Sequence, residues 1–167
     1  MNQINQIIMA NTYTQLTIHV VFAVKYRENV IRKAHRTELY KYITGIIANK
    51  NHKPLAINGV ADHVHILFGL NPSVALSDIV RDIKNNSSKF INSKKWILGH
   101  FEWQAGYGGL SYSRSQRSDV ITYIDNQEEH HKLHSFKSEY FNILDAFEID
   151  FEEQYVFDFF DIPDDNE

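Results

Sequence analysis

The 167-residue chain contains no cysteine. That excludes disulfides, zinc–thiolate centres and thiol nucleophiles, and suits a reducing, cytoplasmic setting. No stretch approaches the ~18 uninterrupted apolar residues that cross a bilayer, so no membrane contact is expected. Residues 1–10 lack a basic segment and carry only the short apolar cluster Ile7-Ile8-Met9, which is not the pattern of a signal peptide. The first eight residues read as a disordered extension. There is no internal repeat and no low-complexity linker. From Ser138 onward there is no Lys or Arg, yet this segment holds 11 of the 21 acidic residues. The first 137 residues therefore carry all 17 basic residues against ten acidic ones, a net of +7 hidden beneath a formal net charge of −4. A basic body can bind a polyanion even when the whole chain is acidic, although such charges also serve ordinary solubility. A hydrophobic content of 43% and a charged content of 23% are globular values, and the length gives room for one domain with a real core.

Residues 13–24 alternate and are rich in β-formers, with Leu16, Ile18, Val20 and Phe22 on one face and Thr17, His19, Val21 and Ala23 on the other. They predict a first strand. Residues 34–49 carry Leu39, Ile43, Ile46 and Ile47 at helical spacing. Residues 55–60 and the run from His63 to Gly69 read as two strands joined tightly through Ala61-Asp62, an antiparallel hairpin. Asn71-Pro72-Ser73 breaks the chain, and Ser77 is placed to cap a helix over 78–91. Residues 101–104 give a fourth strand signal, which 110–113 extend or re-enter after Gly106, Gly108 and Gly109. Ser115 is placed to cap a last amphipathic helix reaching about Lys132. The order predicts an α+β, ferredoxin-like fold: an antiparallel sheet with helices on one face and an appended C-terminal helix carrying Tyr123. The other face, or an edge, is left for a ligand or partner.

In His63-Val64-His65, the strand period of two puts both imidazoles on one face. On spacing alone this is either half of a metal site or two histidines on the wet face of a half-buried strand. On the last helix Tyr123 and Gln127 stand four apart and share a face. Two imidazole nitrogens and one amide oxygen make three neutral ligands for a divalent cation such as Mn²⁺ or Mg²⁺, with positions left for water and phosphate oxygens. A phenol one turn from such a ligand is placed to attack what the ion holds.

Taken together, these motifs resemble the single-tyrosine HUH transposases of the insertion-sequence-200-like family. His63-Val64-His65 resembles the family's His-hydrophobic-His strand, and Tyr123-Ile124-Asp125-Asn126-Gln127 its Tyr-Ile-x-x-Gln helix. His130-His131 resembles the histidine pair that follows. Trp103-Gln104-Ala105-Gly106-Tyr107-Gly108, residues 111–113, 11–15, 20–22 and 78–92 resemble further segments in the same order. The resemblance covers about residues 9–140. It implies a DNA strand-transferase acting on single strands, with a metal ion on His63, His65 and Gln127 and with Tyr123 forming a 5′-phosphotyrosine. It also implies short DNA hairpins at element ends as partners. A homodimer is implied too, in which one subunit's tyrosine helix can complete the other's site.

Lys84, Lys89, Lys94, Lys95, Arg114 and Arg117 are the candidates for phosphate contacts, with Arg27 and Arg32 weaker ones. Trp96, Trp103 and Tyr107 are candidates for stacking on unpaired bases. The chain divides into a catalytic domain, 1–137, and an acidic extension, 138–167. That extension is dense in aromatics and so is expected to pack on the body or on a partner subunit. Two other readings stay open: a domesticated relative that cuts hairpins at repeated genomic sequences, and a non-catalytic nucleic-acid-binding module, which would have no use for Tyr123. A replication initiator or relaxase would share the chemistry but is usually larger.

Overall fold

The computed structural model describes residues 13–153 and 156. The expected disordered extension over 1–8 and most of the acidic segment after 153 lie outside the described residues. Four strands form one antiparallel sheet in the order β2-β3-β1-β4: β1 (Thr17–Ala23), β2 (Lys53–Gly59), β3 (His63–Gly69) and β4 (Gly108–Tyr112). This is the strand order of the ferredoxin-like split β-α-β unit that the sequence pattern predicts. No helix among the described residues is long and apolar enough to cross a membrane.

β1 and β3 are central, and both faces of each are buried. On one face Val20, Phe22, Val64, Ile66 and Phe68 meet the apolar stripes of α1 (Lys33–Asn49) and α2 (Leu76–Lys94). Leu39, Ile43 and Ile47 of α1 and Ile79, Val80, Ile83 and Ile91 of α2 are buried there, as their helical spacing predicts. The opposite face carries His19, Val21, Ala23, His63, His65 and Leu67. Their shared orientation follows from the pairing of Ala23 with His63, Val21 with His65 and His19 with Leu67. This second face is covered too. Val120 and Ile124 of α3 (Arg117–Asp125) pack on Leu67, and α5 (Phe136–Ala146) lays Phe136, Tyr140 and Leu144 against Val21 and Ala23. A short α4 (Gln127–His130) lies between them.

Two glycines permit close approaches. A Cβ on Gly59 would come within 2.2 Å of the His63 carbonyl, so the tight β2–β3 link needs glycine there. A Cβ on Gly108 would meet the Tyr140 hydroxyl at 2.9 Å, so β4 admits α5 only because that position is bare.

Several local expectations are corrected. The fourth strand is Gly108–Tyr112, whereas 101–104 makes only an isolated bridge, Val24 to Trp103. Phe101 and Trp103 are too useful as core to lie in a regular strand: Phe101 bonds both its backbone polar groups to the Asn92 side chain, and Trp103 Nε1 donates to Ser87 Oγ at 2.8 Å. Ser77 does not cap α2. The helix starts at Leu76 with Ala75 before it, and no side chain caps it. Likewise Ser113, not Ser115, opens the tyrosine helix: its N–H donates to Gln116 Oε1 at 3.0 Å, and a single 3-10 turn leads into α3. The one long helix expected to reach Lys132 is interrupted at Asn126, which separates α3 from α4.

Candidate active site

β3 fixes the floor of the site. His63 and His65 are fully buried and project together. His63 Nδ1 lies 2.7 Å from Asp62 Oδ1, and Asp62 is held in turn by Arg27. Burial works to raise the Asp62 carboxyl, but the hydrogen bond from His63 and the charge of Arg27 outweigh it and hold Asp62 at about 2. Burial lowers His63 to about 4 against the pull of Asp62, so this imidazole is neutral at physiological pH. A neutral His63 donates Nδ1–H to Asp62 and turns its Nε2 lone pair inward, the tautomer a metal ligand needs. His65 is oriented by His19, whose Nε2 stands 3.0 Å from His65 Nδ1.

The roof comes from the chain after Asp125. Gln127 is buried; its Nε2 donates to Glu139 Oε1 at 3.0 Å, and its Oε1 lies 3.1 Å from His131 Nε2. Glu139 belongs to the buried stripe of α5 with Phe136, Tyr140 and Leu144, so the helix that seals the apolar face also drives one carboxylate into the cluster. Its Oε2 lies 3.6 Å from His65 Nε2, 3.8 Å from His63 Nε2 and 2.9 Å from His131 Nε2. Burial would raise Glu139, but hydrogen bonds from His131 and its other neighbours hold it far below the usual carboxylate range. The same contact raises His131, against burial. His63, His65, His131 and Glu139 offer ligand atoms that all lie within 4.8 Å of one another. The Nε2 atoms of both strand histidines are buried without a hydrogen-bond partner, and Glu139 Oε2, in contact with His131, faces them. Orphaned acceptors converging on one point are what a cation would satisfy, so the residues fit a metal ion.

Tyr123 stands at the rim. Its hydroxyl donates to Glu139 Oε1, and its ring meets His65 edge-on at 5.8 Å. Burial, and then the charge of Glu139, push the phenol above its ordinary value. A cavity of about 480 Å³ opens beside it, lined by Tyr112, Val120, Ile143 and Phe147 among others. Tyr123 lies over the histidines of its own chain.

The structure thus brings His63, His65, Tyr123 and Gln127 together. His131 enters the sequence analysis only as part of a motif match, and Glu139 only as one acid among 11; both belong to the cluster. A signal for Glu139 is present in the sequence: it is the one acid on the Phe136, Tyr140, Leu144 stripe. The basic candidates are scattered. Lys84 donates to the carbonyls of Gln104 and Gly106, and burial lowers it to about 8. Lys94 pairs with Glu38 at 2.6 Å, and Arg117 donates to Thr17 Oγ1 at 3.1 Å. Lys89, Lys95 and Arg114 are exposed. Arg27 is committed to Asp62, while Arg32 is exposed. A cleft of about 1020 Å³ between α2 and residues 100–107 is lined by Lys25, Arg81, Lys84, Lys89 and Tyr107 among others. Trp103 is core, and Trp96 stacks on His35 at 4.5 Å.

Fold and site define a class: an α+β protein with a tyrosine hydroxyl set over a buried histidine–carboxylate cluster on a ferredoxin-like sheet. Residues 12–127 match the family model described as "Transposase IS200 like", and the chain belongs to that family. It is 27% identical over 120 residues to the ISDra2 transposase TnpA of Deinococcus radiodurans, covering 69% of this chain and 86% of that one. It is 24% identical over 137 residues to the transposase for insertion sequence element IS200 of Salmonella typhimurium, covering 75% and 85% respectively. Among solved structures, a REP-associated tyrosine transposase bound to a REP hairpin superposes with a TM-score of 0.56 at 15% identity, covering 74% of this chain and 73% of that one. His131 and Glu139 lie beyond the matched segment.

Proposed function

We propose that this transposase cuts and rejoins single-stranded DNA at element ends through Tyr123. The observation that supports the reading is the Tyr123 hydroxyl bonded to Glu139 at the edge of the histidine cluster. Tyr123 Oη attacks phosphorus, a tyrosyl O–P bond forms, and the bond to the 3′ oxygen breaks. The products are a 5′-phosphotyrosine and a 3′ oxygen that gains a proton. A phenol is almost wholly protonated at neutral pH, and this one is raised further, so its proton needs an acceptor in reach. Glu139 Oε1 orients the hydroxyl by accepting its hydrogen bond, and the His130 imidazole, whose Nε2 stands 3.4 Å from that oxygen, is the base beside it. His63 and His65 would hold a divalent ion, Mg²⁺ or Mn²⁺, which would supply Lewis-acid polarisation of the phosphate. The phosphotyrosine conserves the energy of the phosphodiester, so rejoining is the reverse step and needs no nucleotide. This agrees with a sequence that lacks a Gly-rich nucleotide loop.

The scissile strand enters by the cavity beside Tyr123, and flanking DNA, including a hairpin, lies along the basic cleft beside α2. The solved relative with a bound hairpin supports that class of partner. A homodimer is part of the reading. Tyr123 meets His65 edge-on within one chain, and in a dimer one subunit's tyrosine helix can serve its own site or its partner's. The test is a covalent protein–DNA adduct on single-stranded element ends with Mn²⁺ or Mg²⁺. Tyr123→Phe is expected to abolish it. An adduct of wild-type yield from that variant, or equal cutting of duplex DNA, would refute the reading.

A further inference from the structure

The cavity beside Tyr123 differs in kind from the basic cleft beside α2. We propose that it is a receptor for one unpaired nucleobase next to the scissile phosphate, and that Asp119 makes it favour a base with an exocyclic amine over thymine. This rests on the reading of Tyr123 as the nucleophile and deepens it by naming the part of the strand that the protein itself reads.

Three observations converge. The first is charge. The cavity, about 480 Å³, lies between α3 and α5 with Tyr112 of β4 in its wall. Among the described residues no Lys or Arg lines it, whereas Asp119 and Glu139 both do. A wall with carboxylates and no cation repels a phosphodiester backbone, so the part of the strand it admits is uncharged. The cleft beside α2, lined by Lys25, Arg81, Lys84 and Lys89, has the opposite character and suits the backbone. The second is surface and size. Val120, Ile143 and the rings of Tyr112 and Phe147 make the wall apolar, and those two rings meet edge-on at 5.1 Å. Unpaired bases bind on aromatic side chains of this kind, and the volume falls within the range of small-molecule sites. The third is place. Tyr123 stands in the same wall, so a base seated there belongs to a nucleotide whose phosphate is within reach of the Tyr123 hydroxyl.

The polar groups at the rim are few. Asp119 of α3 and Asn142 of α5 line the cavity and are exposed. A carboxylate only accepts hydrogen bonds, so Asp119 takes the exocyclic amine of adenine, cytosine or guanine. Thymine has no such amine, and its one ring N–H is flanked by two carbonyl oxygens that the carboxylate repels. The Asn142 amide donates or accepts and so does not discriminate by itself.

Binding of the full-length protein to single-stranded element ends, read by fluorescence anisotropy with EDTA present, separates this site from the chemistry. Replacing the base on either side of the cleavage site by an abasic residue is expected to weaken binding about tenfold at one of the two positions. Thymine at that position is expected to bind about threefold more weakly than an amine-bearing base, and Asp119→Ala to remove the difference. Phe147→Ala is expected to bind intact and abasic strands alike. Because loss of Phe147 can also loosen α5, Ala146→Trp is the second variant. Ala146 is exposed and lines the cavity, so an indole there fills the space from outside the core, and the base dependence should vanish again. Strands abasic at either position that bind as well as intact ones, or an Ala146→Trp protein that keeps the full tenfold difference, would overturn the base receptor. Equal binding of all four bases by wild type would overturn the role of Asp119. If wild type shows the base dependence but forms no DNA adduct with Mn²⁺ or Mg²⁺, the receptor stands and the phosphotyrosine reading falls. An adduct without base dependence is the reverse.

Discussion

At the scale of single residues, charge is placed where it holds structure as well as where it meets ligands. Glu139 accepts from Tyr123 and Gln127 with one oxygen and faces three histidines with the other. Lys84 is a contrasting case. By composition it is a phosphate-binding lysine, yet it is tied to two carbonyls of the 104–106 loop and lies over the Phe22 ring at 5.4 Å. Burial lowers it from 10.5 to about 8. Since the folded value is depressed, the unfolded chain keeps a proton that the folded chain has shed between about pH 8 and 10.5, so this residue makes stability rise with pH across that window. Lysine side-chain NMR on isotope-methylated protein is expected to show one resonance titrating near 8, absent in Lys84→Arg. If every lysine titrates near its ordinary value, the burial assigned to Lys84 is wrong.

At the scale of elements, the site depends on how closely α5 docks. Ser135 caps that helix, accepting the Ser138 N–H at 3.2 Å, and its stripe of Phe136, Tyr140 and Leu144 fastens it to β1. Gly108 on β4 makes the approach possible. A Gly108→Ala side chain would press on the Tyr140 ring, with its hydroxyl at 2.9 Å and Cε2 at 3.0 Å. Overpacking of this kind costs typically ~1–3 kcal/mol. Urea melts of Gly108→Ala are expected to show a loss in that range. Adding Tyr140→Phe removes the nearest contact and should recover part of it. Because α5 carries Glu139, the same substitution should weaken Mn²⁺ binding, and a variant that loses stability with intact metal affinity would uncouple docking from the site. The elements themselves were largely legible. Periods of two and of 3.6 place β1, β2, β3, α1 and α2 within a few residues. The misplacements have physical causes: Phe101 and Trp103 satisfy strand propensity but are core, and β4 begins at two glycines whose value is in being small.

At the scale of the molecule, the chain sorts its charges. The basic residues lining the cleft beside α2 are set apart from α5, which covers the opposite face of the sheet and turns its Glu139 inward. Exposed Arg81 and Lys89 are the cleft residues that mutation can neutralise without touching the core. Each phosphate contact on single-stranded DNA contributes about 0.7 to the slope of log affinity against log salt. Arg81→Ala with Lys89→Ala is expected to reduce that slope by on the order of 1.4, leaving the metal affinity unchanged. An unaltered slope would move the DNA path elsewhere on the surface.

By itself the sequence determined the ferredoxin-like order of elements, the paired histidines on one strand face and the tyrosine–glutamine helix, because each follows from a local period or an ordered set of motifs. Only the tertiary structure decided what stands across from those histidines. His131 and Glu139 are 68 and 76 positions along the chain from His63, and no local pattern measures that separation. Glu139 arrives because the apolar stripe of α5 must be buried and the sheet face it covers carries the histidines, and His131 because it directly follows α4, which begins with buried Gln127.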